Sequence, residues 1–212
     1  MPDTSKSSPS WLALGDSYTI GEGVPPSERW PAQLAHQHNV APPQYVAKTG
    51  WTTVDLLDAI NRTDFRQQYD WVSVLIGVND QYDGLSIDTY RQGLIKIVDF
   101  ANSRVVQPRR VVVVSIPDYS VVPAVEEKDP ERIASEVERF NSVARQITAA
   151  ASATYCDITE LSRQAANDPS LLVADQLHPS GKMYQLWAEK VAQTIFIPPI
   201  RKLSEKPFVP PQ

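Results

Sequence analysis

Val111-Val-Val-Val-Ser-Ile116 is a nearly continuous run of apolar residues, most of them β-branched. A run of this kind is typical of a strand that is buried on both faces, as strands are inside a parallel sheet. Four other short apolar runs accompany it, and we expect each of them to form a strand. The five predicted strands cover residues 11–14, 45–47, 71–76, 110–116 and 154–156.

The segments between these runs show the periodicity of helices. One of them precedes the fifth run, where apolar side chains recur on one helical face: Ile133, Val137, Phe140, Ala144 and Ile147. Asp129-Pro130, just before that face, is typical of a helix start. Residues 90–101 and 183–195 show the same spacing. Strands that alternate with helices imply right-handed crossovers, so the sequence predicts an α/β fold, a three-layer α/β/α sandwich around a five-stranded parallel sheet.

Composition and charge argue against several classes of function. The 212 residues carry a formal net charge of -5 and no run of basic side chains, which argues against a nucleic-acid partner. The single cysteine, Cys156, excludes an intramolecular disulfide and a cysteine-rich metal site, and we expect it to be an inert buried thiol. His36, His38 and His178 show no spacing typical of a zinc site. We therefore expect no metal and no other cofactor.

The chain divides into three predicted parts. Residues 1–10 are a polar N-terminal extension, residues 11–196 form one catalytic domain, and residues 197–212, with five prolines, form a tail that runs along the surface or frays. No apolar run reaches the roughly 20 residues that a membrane-spanning helix needs. The extension also lacks the apolar core of a signal peptide, which predicts a cytoplasmic protein, although a secreted protein after signal-peptide removal would have the same sequence.

The motifs that could carry chemistry follow the predicted strands. In an open parallel sheet, functional residues gather at the carboxyl ends of the strands, and the first strand ends directly in Gly15-Asp16-Ser17. A serine nucleophile needs a base, and the base needs a third group that orients it. In Asp175-Gln-Leu-His178, a three-residue spacing allows one turn to bring the carboxylate to Nδ1 of the imidazole, which leaves Nε2 free to act as the base.

Acyl transfer also needs donors for the oxyanion, and two further strand ends offer them. Gly50 follows the second strand, and the absence of a side chain allows its N–H to approach a substrate. Asn79 follows the third strand, and its side-chain amide can donate directly. His36 and His38 lie in a polar stretch with no acidic residue nearby, so we do not expect either of them to be the base.

Five residues near these motifs need a separate interpretation. We interpret Asp16 and Asp80 as structural groups that hold the loops by hydrogen bonds, and not as acid or base catalysts. Trp51, Tyr82 and Tyr184 either line the substrate cleft or cover hydrophobic surface, and the sequence leaves both interpretations open.

Taken together, the motifs resemble blocks one, two, three and five of the SGNH/GDSL hydrolase superfamily, in the same order and at the usual spacings. The matching motifs are Gly15-Asp16-Ser17, Gly50, Gly77-Val78-Asn79-Asp80 and Asp175-Gln176-Leu177-His178. The resemblance covers nearly the whole chain, from Trp11 to about Phe196, and residues 15–23, 49–52 and 178–184 are similar to bacterial lysophospholipase-like members. Tyr18 stands where the family name has Leu, at a position that supports packing and not chemistry.

This resemblance implies a flavodoxin-like fold and a serine esterase that hydrolyses small-molecule carboxylic esters through an acyl-enzyme on Ser17. It implies that His178 is the base and that Asp175 orients it. The implied oxyanion hole consists of the Ser17 N–H, the Gly50 N–H and the Asn79 side chain. The sequence has no phosphate-cradling loop and no cluster of ligand residues, so we expect no cofactor. We also expect no stable membrane insertion, and the sequence leaves the oligomeric state open.

Other functions of α/β proteins require different residues or a different acceptor. A phosphotransferase of the haloacid dehalogenase type needs Asp-x-Asp after the first strand, but Ser17 and Tyr18 follow Asp16. A receiver module needs a lysine after the fifth strand, where this chain has Asp157. An acyltransferase that uses the same acyl-enzyme stays open, as do a lysophospholipase and a thioesterase, because these enzymes differ from an esterase only in the groups that the cleft holds.

Overall fold

Five parallel strands form the sheet in the part of the chain that the structure, a computed structural model, describes: residues 8–107 and 109–196. The strands are β1 (Trp11–Gly15), β2 (Gln44–Ala47), β3 (Trp71–Leu75), β4 (Val111–Val114) and β5 (Thr154–Cys156). Their order across the sheet is β2-β1-β3-β4-β5. The predicted five-stranded parallel sheet is therefore confirmed.

The strand bounds differ from the prediction mainly at β4. The predicted strand continued to Ile116, but the ladder ends at Val114. The Asn141 side chain takes over the backbone of Ile116, because its Oδ1 accepts from the Ile116 N–H at 2.8 Å and its Nδ2 donates to the Ile116 carbonyl at 2.9 Å. A side chain thus replaces the neighbouring strand, and the chain turns away from the sheet.

The central position of β1 determines where its carboxyl end lies. All five residues of β1 are buried, and β1 pairs in parallel with β2 on one side and β3 on the other. Gly15 is opposite Ala47 of β2 and Leu75 of β3. The chain segments that follow these three strands therefore emerge side by side at one edge of the sheet.

Eight α-helices accompany the strands within the described residues. They are α1 (Ser17–Ile20), α2 (Trp30–Gln37), α3 (Thr53–Arg62), α4 (Val78–Tyr82), α5 (Ile87–Ser103), α6 (Pro130–Ala150), α7 (Thr159–Ser162) and α8 (Gly181–Phe196). Helix α2 packs against α8, whereas α5 packs against both α3 and α6. With right-handed crossovers and this strand order, the two groups of helices lie on opposite faces of the sheet, which gives the three predicted layers.

Helix α6 forms where its periodicity predicts. Asp129 is the N-cap, and its side chain accepts from the Arg132 N–H at 3.0 Å. The predicted apolar face is buried throughout: Ile133, Val137, Phe140, Ala144 and Ile147. This face packs toward α5 and the β5 side of the sheet, so burial of one stripe of side chains holds α6 in place.

The two predicted terminal segments lie largely outside the described residues: residues 1–7 of the extension and all of the 197–212 tail. Of the remaining extension, the Pro9 carbonyl accepts from the Ala41 N–H at 2.9 Å, and the Ser10 N–H donates to Asp70 at 2.7 Å. Within residues 8–107 and 109–196, no helix combines the length and the apolar character that crossing a membrane requires.

Candidate active site

Ser17 is the first residue of α1, immediately after the sharp connection from β1. Gly15 makes this connection possible, because a Cβ there would lie 2.4 Å from the Leu75 carbonyl oxygen and 2.2 Å from the Thr19 hydroxyl. The Asp16 side chain caps α1 by accepting from the Tyr18 N–H at 3.0 Å. The sequence thus turns from strand to helix within two residues and places Ser17 at the edge of the sheet.

The Asp16 carboxyl group is fully buried beside the serine. Burial raises its pKa to about 8; the hydrogen bond from the Tyr18 N–H opposes this shift, and the charge of Asp80 adds to it. Its Oδ2 atom has no hydrogen-bond partner among the residues that the structure describes. Asp16 therefore holds the turn as a structural group, as we interpreted it from the sequence.

Asp175 and His178 form a direct contact, 2.7 Å from Oδ2 to Nδ1. The other carboxylate oxygen accepts from the N–H groups of Leu177 at 2.8 Å and His178 at 2.9 Å. Gln176, between them, has a φ of 58°, so the chain passes through the left-handed region to close this turn. Partial burial alone would raise the pKa of Asp175, but the hydrogen bonds from the His178 ring and from the two backbone N–H groups hold it below its ordinary value.

The His178 ring is also held from its apolar side. The Tyr18 ring lies 5.6 Å from it between centroids, and Tyr18 in turn packs 5.9 Å from Trp187 of α8. Tyr18 is buried. The tyrosine that stands where the family name has Leu therefore packs between the imidazole and Trp187 of the core.

One cavity of about 220 Å³ contains Ser17, Gly50, Asn79 and His178 in its wall. The structure thus brings four of the five predicted site residues to one cavity, and it places the fifth, Asp175, behind the His178 ring. Ser17 and His178 share this cavity without a direct hydrogen bond between their side chains. Such bonds are often long in free enzymes and shorten when substrate binds.

Three residues of the cavity wall carry hydrogen-bond donors and belong to three separate segments: Ser17 of α1, Gly50 before α3 and Asn79 of α4. The backbone N–H groups of Ser17 and Gly50 donate to no acceptor among the described residues. The Asn79 Nδ2 donates to the Trp51 carbonyl at 2.8 Å, and its second hydrogen is not used. The Asn79–Trp51 bond also ties α4 to the loop that carries Gly50, so the donors are fixed relative to one another.

Asp80 connects α4 to the start of α3, next to the segment that carries Gly50. It is buried, and its two carboxylate oxygens accept from the Thr53 N–H at 2.8 Å and from the Thr53 hydroxyl at 2.5 Å. Burial raises the pKa of Asp80, while the hydrogen bonds from Thr53 act in the opposite direction. Thr52 and Asp55 add a reciprocal capping box at the start of α3. As we interpreted it from the sequence, Asp80 is a structural group that positions α3.

The aromatic residues that the sequence left open divide between the two interpretations. Tyr82 lines the cavity with a 55% exposed side chain. Tyr184 is fully buried and packs 5.3 Å from Trp187, edge to face. Trp51 is half-buried against the core and contributes its carbonyl to Asn79. Tyr82 therefore lines the cavity, whereas Tyr184 packs in the core; that Tyr82 contacts substrate stays a prediction.

Tyr119 is a cavity residue that the sequence analysis missed. It follows β4, whose carboxyl end lies at the same sheet edge as those of β1, β2 and β3. Its hydroxyl donates to the Gln81 side chain, which fixes the tyrosine against α4. The end of the fourth strand was the available signal, and extending the strand-end argument to β4 would have found this residue.

The remaining candidate groups lie away from this cavity. Cys156 is buried at the end of β5, and burial raises its pKa. His36 lies on α2 and His38 follows it, outside the cavity wall. Among the described residues, no cluster of three or more His, Cys, Asp or Glu side chains has the arrangement of a metal site.

Comparison with known sequences relates most of the chain to one family. A family model described as the GDSL-like lipase/acylhydrolase family matches residues 13–186. Curated protein sequences include no match to this chain.

Solved structures with the same fold include esterases. A lipolytic protein of the G-D-S-L family from Desulfitobacterium hafniense DCB-2 superimposes with a TM-score of 0.71 at 18% identity, covering 87% of this chain and 98% of that chain. A member of the lipolytic protein G-D-S-L family from Veillonella parvula DSM 2008 superimposes with a TM-score of 0.71 at 16% identity, covering 89% of this chain and 99% of that chain. Axe2, an acetylxylan esterase from Geobacillus stearothermophilus, superimposes with a TM-score of 0.67 at 22% identity, covering 89% of this chain and 94% of that chain. A catalytic mutant of Axe2 has alanine in place of a serine. At these identities the likeness establishes a common fold.

Proposed function

The chain belongs to the GDSL-like lipase/acylhydrolase family and is a carboxylic ester hydrolase, and from this premise we propose that Ser17 is its nucleophile, His178 its base and Asp175 the group that orients the base. The observation that carries the proposal is the common cavity. Ser17, Gly50, Asn79 and His178 line one space of about 220 Å³, although they come from four separate segments of the chain.

In the proposed reaction, Ser17 Oγ attacks the ester carbonyl carbon while His178 Nε2 accepts the hydroxyl proton. Asp175 holds Nδ1 and stabilises the imidazolium that forms. The leaving alcohol then takes the proton from Nε2, and an acyl-enzyme remains on Ser17. Water attacks this ester with His178 again as base, which releases the acid and restores the serine.

The oxyanion hole in this proposal consists of the Ser17 N–H, the Gly50 N–H and the Asn79 amide. Each can donate to the negative oxygen of the tetrahedral intermediate, and none needs to break another hydrogen bond to do so. Donors that are already in place cost no reorganisation at the moment of reaction, and this makes them effective in catalysis.

The proposed substrates are esters with a short acyl group. The cavity is smaller than the roughly 300–1,000 Å³ of typical pockets for drug-sized ligands, and Tyr18, Tyr119 and Leu177 limit it. The common fold with an acetylxylan esterase is consistent with an acetyl group.

Hydrolysis of p-nitrophenyl esters from acetate to palmitate tests both parts of the proposal. We expect the wild type to have its highest kcat/KM on acetate. Ser17→Ala and His178→Ala should each abolish most of this activity, and the double variant should lose little more, because the residues act as a unit.

Ser103→Ala is the matched control, because Ser103 ends α5 and its hydroxyl donates to the Phe100 carbonyl, away from the cavity. A fluorophosphonate probe should label Ser17 in the wild type and in the control. Near-native turnover by Ser17→Ala would show that the nucleophile assignment is wrong.

A further inference from the structure

A second cavity, of about 440 Å³, adjoins the first one. Tyr82 and Tyr119 belong to the walls of both cavities. Helix α4 borders both cavities, because Asn79 lies in the wall of the first, Gln81 in the wall of the second and Tyr82 in both. One helical turn advances about 5 Å, so a substrate of modest length can reach from the oxyanion hole past Tyr82.

The far wall of the second cavity is one face of α6. Arg132, Glu136 and Arg139 recur at spacings of four and three residues, which places them on the same side of the helix. Lys128 lines the cavity from the segment just before α6. Three cationic side chains and one carboxylate thus border it, although the chain as a whole carries a net charge of -5.

A fixed hydrogen-bond chain forms the floor of this cavity. The Tyr119 hydroxyl donates to Gln81, and Gln81 Nε2 donates to Glu136 at 2.8 Å. Arg132 Nη1 contacts both oxygens of Glu136, at 2.9 and 3.0 Å. The hydrogen bond from Gln81, together with Arg132, holds the pKa of Glu136 below its ordinary value. Glu136 and Arg132 therefore neutralise each other.

The other two cations are not held in ion pairs. Neither Lys128 nor Arg139 forms an ion pair with a carboxylate of the described residues. Lys128 Nζ donates to the Tyr82 hydroxyl at 2.8 Å and lies 4.3 Å from the centre of the Tyr82 ring. It thus occupies a ring face on which a sugar could otherwise stack. Cationic side chains without an ion-pair partner, rather than an aromatic surface, distinguish this cavity.

We propose that the second cavity binds an anionic group, a phosphate or a carboxylate, of the ester whose carbonyl carbon lies at Ser17. Lys128 and Arg139 supply the charge, and the Glu136–Arg132 pair keeps the wall in place. This inference rests on the proposed function, and it narrows the substrates to esters that carry a negative charge beyond the reacting bond.

Two pairs of substrates test this inference. The first pair is acetylglycerol phosphate and glycerol monoacetate, which differ by a phosphate in the alcohol portion of the ester. The second pair is the p-nitrophenyl hemiglutarate ester and the p-nitrophenyl pentanoate ester, which differ by a carboxylate in the acyl portion. In at least one pair, we expect wild-type kcat/KM to favour the anionic ester, and added salt should weaken this preference because it screens the charges.

The double variant Lys128→Gln/Arg139→Gln should reduce the anionic-to-neutral ratio of kcat/KM by about tenfold, as expected for the loss of two partly exposed charge contacts. Lys96→Gln/Arg66→Gln is the matched control, because it removes the same net charge from exposed residues outside the second cavity. The control should keep the wild-type ratio.

Direct binding separates this inference from the proposed function. Calorimetric titration of glycerol phosphate into Ser17→Ala protein should show binding that glycerol does not show and that the Lys128→Gln/Arg139→Gln changes remove. If wild-type protein hydrolyses neither pair but this binding is found, the proposed function fails and the anion site stands. If neutral esters are hydrolysed, both ratios equal one and glycerol phosphate does not bind, the anion site is wrong.

Discussion

The Asn79 side chain lines the cavity, and it uses one hydrogen of its amide to hold the Trp51 carbonyl. If it stabilises the oxyanion, its contribution is made mainly in the transition state. Asn79→Ala should therefore lower kcat about 10²–10³-fold with little change in KM. Steady-state kinetics on p-nitrophenyl acetate measure this, with Asn102→Ala as control, since the Asn102 amide donates to the Ala151 carbonyl elsewhere. An effect confined to KM would assign Asn79 to substrate binding.

Asp16 makes stability depend on pH. Its pKa is about 8 in the folded protein, mainly because of burial, against about 3.9 for an unfolded aspartate. A folded pKa above the unfolded one means that stability is complete below pH 4 and is lost as the pH rises toward 8. Asp16→Asn, which does not titrate, should therefore raise Tm relative to the wild type by several degrees at pH 8 and by much less at pH 4.

Thermal unfolding of both proteins across this pH range measures the difference. Asp99→Asn is the control, because Asp99 is exposed on α5. A Tm difference between Asp16→Asn and wild type that stays constant from pH 4 to pH 8 would contradict the argument.

At the scale of elements, two glycines make strand-to-helix connections for different reasons. Gly15 has no space for a Cβ between β1, β3 and α1, whereas Gly50 has no atom within 4 Å of the Cβ position but a φ of 82°. Gly15→Ala should therefore cost about 3 kcal/mol or more of unfolding free energy, because backbone must move. Gly50→Ala should cost about 1–2 kcal/mol of conformational strain.

Denaturant unfolding monitored by circular dichroism gives both values. Gly84→Ala serves as the reference for Gly50→Ala, because Gly84 has a φ of 73° and is equally unobstructed. Equal losses at Gly15 and Gly84 would show that the β1–α1 connection relaxes more easily than its close contacts indicate.

The elements that could be predicted from the sequence are those that bury a long regular pattern. The β4 valines and the α6 stripe are of this kind, and both formed. Helices α1 and α4 have four and five residues, too few for a periodicity to show, and hydrogen bonds such as the Asp16 cap of α1 hold them instead. The predicted end of β4 was wrong because the contact that ends the strand comes from Asn141, 25 positions away from Ile116.

The candidate site could be predicted only where its residues are close in sequence. Asp175 and His178 are close in sequence, so their spacing alone indicated a contact. The second cavity joins α4 to α6 through Gln81 and Glu136, which are 55 positions apart, and no local pattern announces such a pair. The chain has a net charge of -5, and a group of cationic side chains at one cavity can be recognised only when the faces of α6 and α4 are known.

For the molecule as a whole, the single cysteine reports on global unfolding. Cys156 lies under α8, and burial both raises its pKa and excludes reagents. In native buffer it should not react with a thiol-specific disulfide reagent, and it should react completely in denaturant with the same midpoint as circular dichroism. Ser103→Cys, at an exposed helix end, is the positive control and should react at once. Rapid native labelling of Cys156 would mean that β5 and α8 separate locally.

The proposed nucleophile and the proposed base lie far apart along the sequence. Ser17 follows the first strand, whereas His178 follows the fifth, and α8 beyond it packs against α2. During synthesis Ser17 therefore leaves the ribosome early, whereas His178 leaves it only after all five strands have been made. If Ser17 and His178 act as proposed, a nascent chain that lacks His178 cannot form the acyl-enzyme by this route, and the order of translation delays catalysis until β5 and the turn after it have been made.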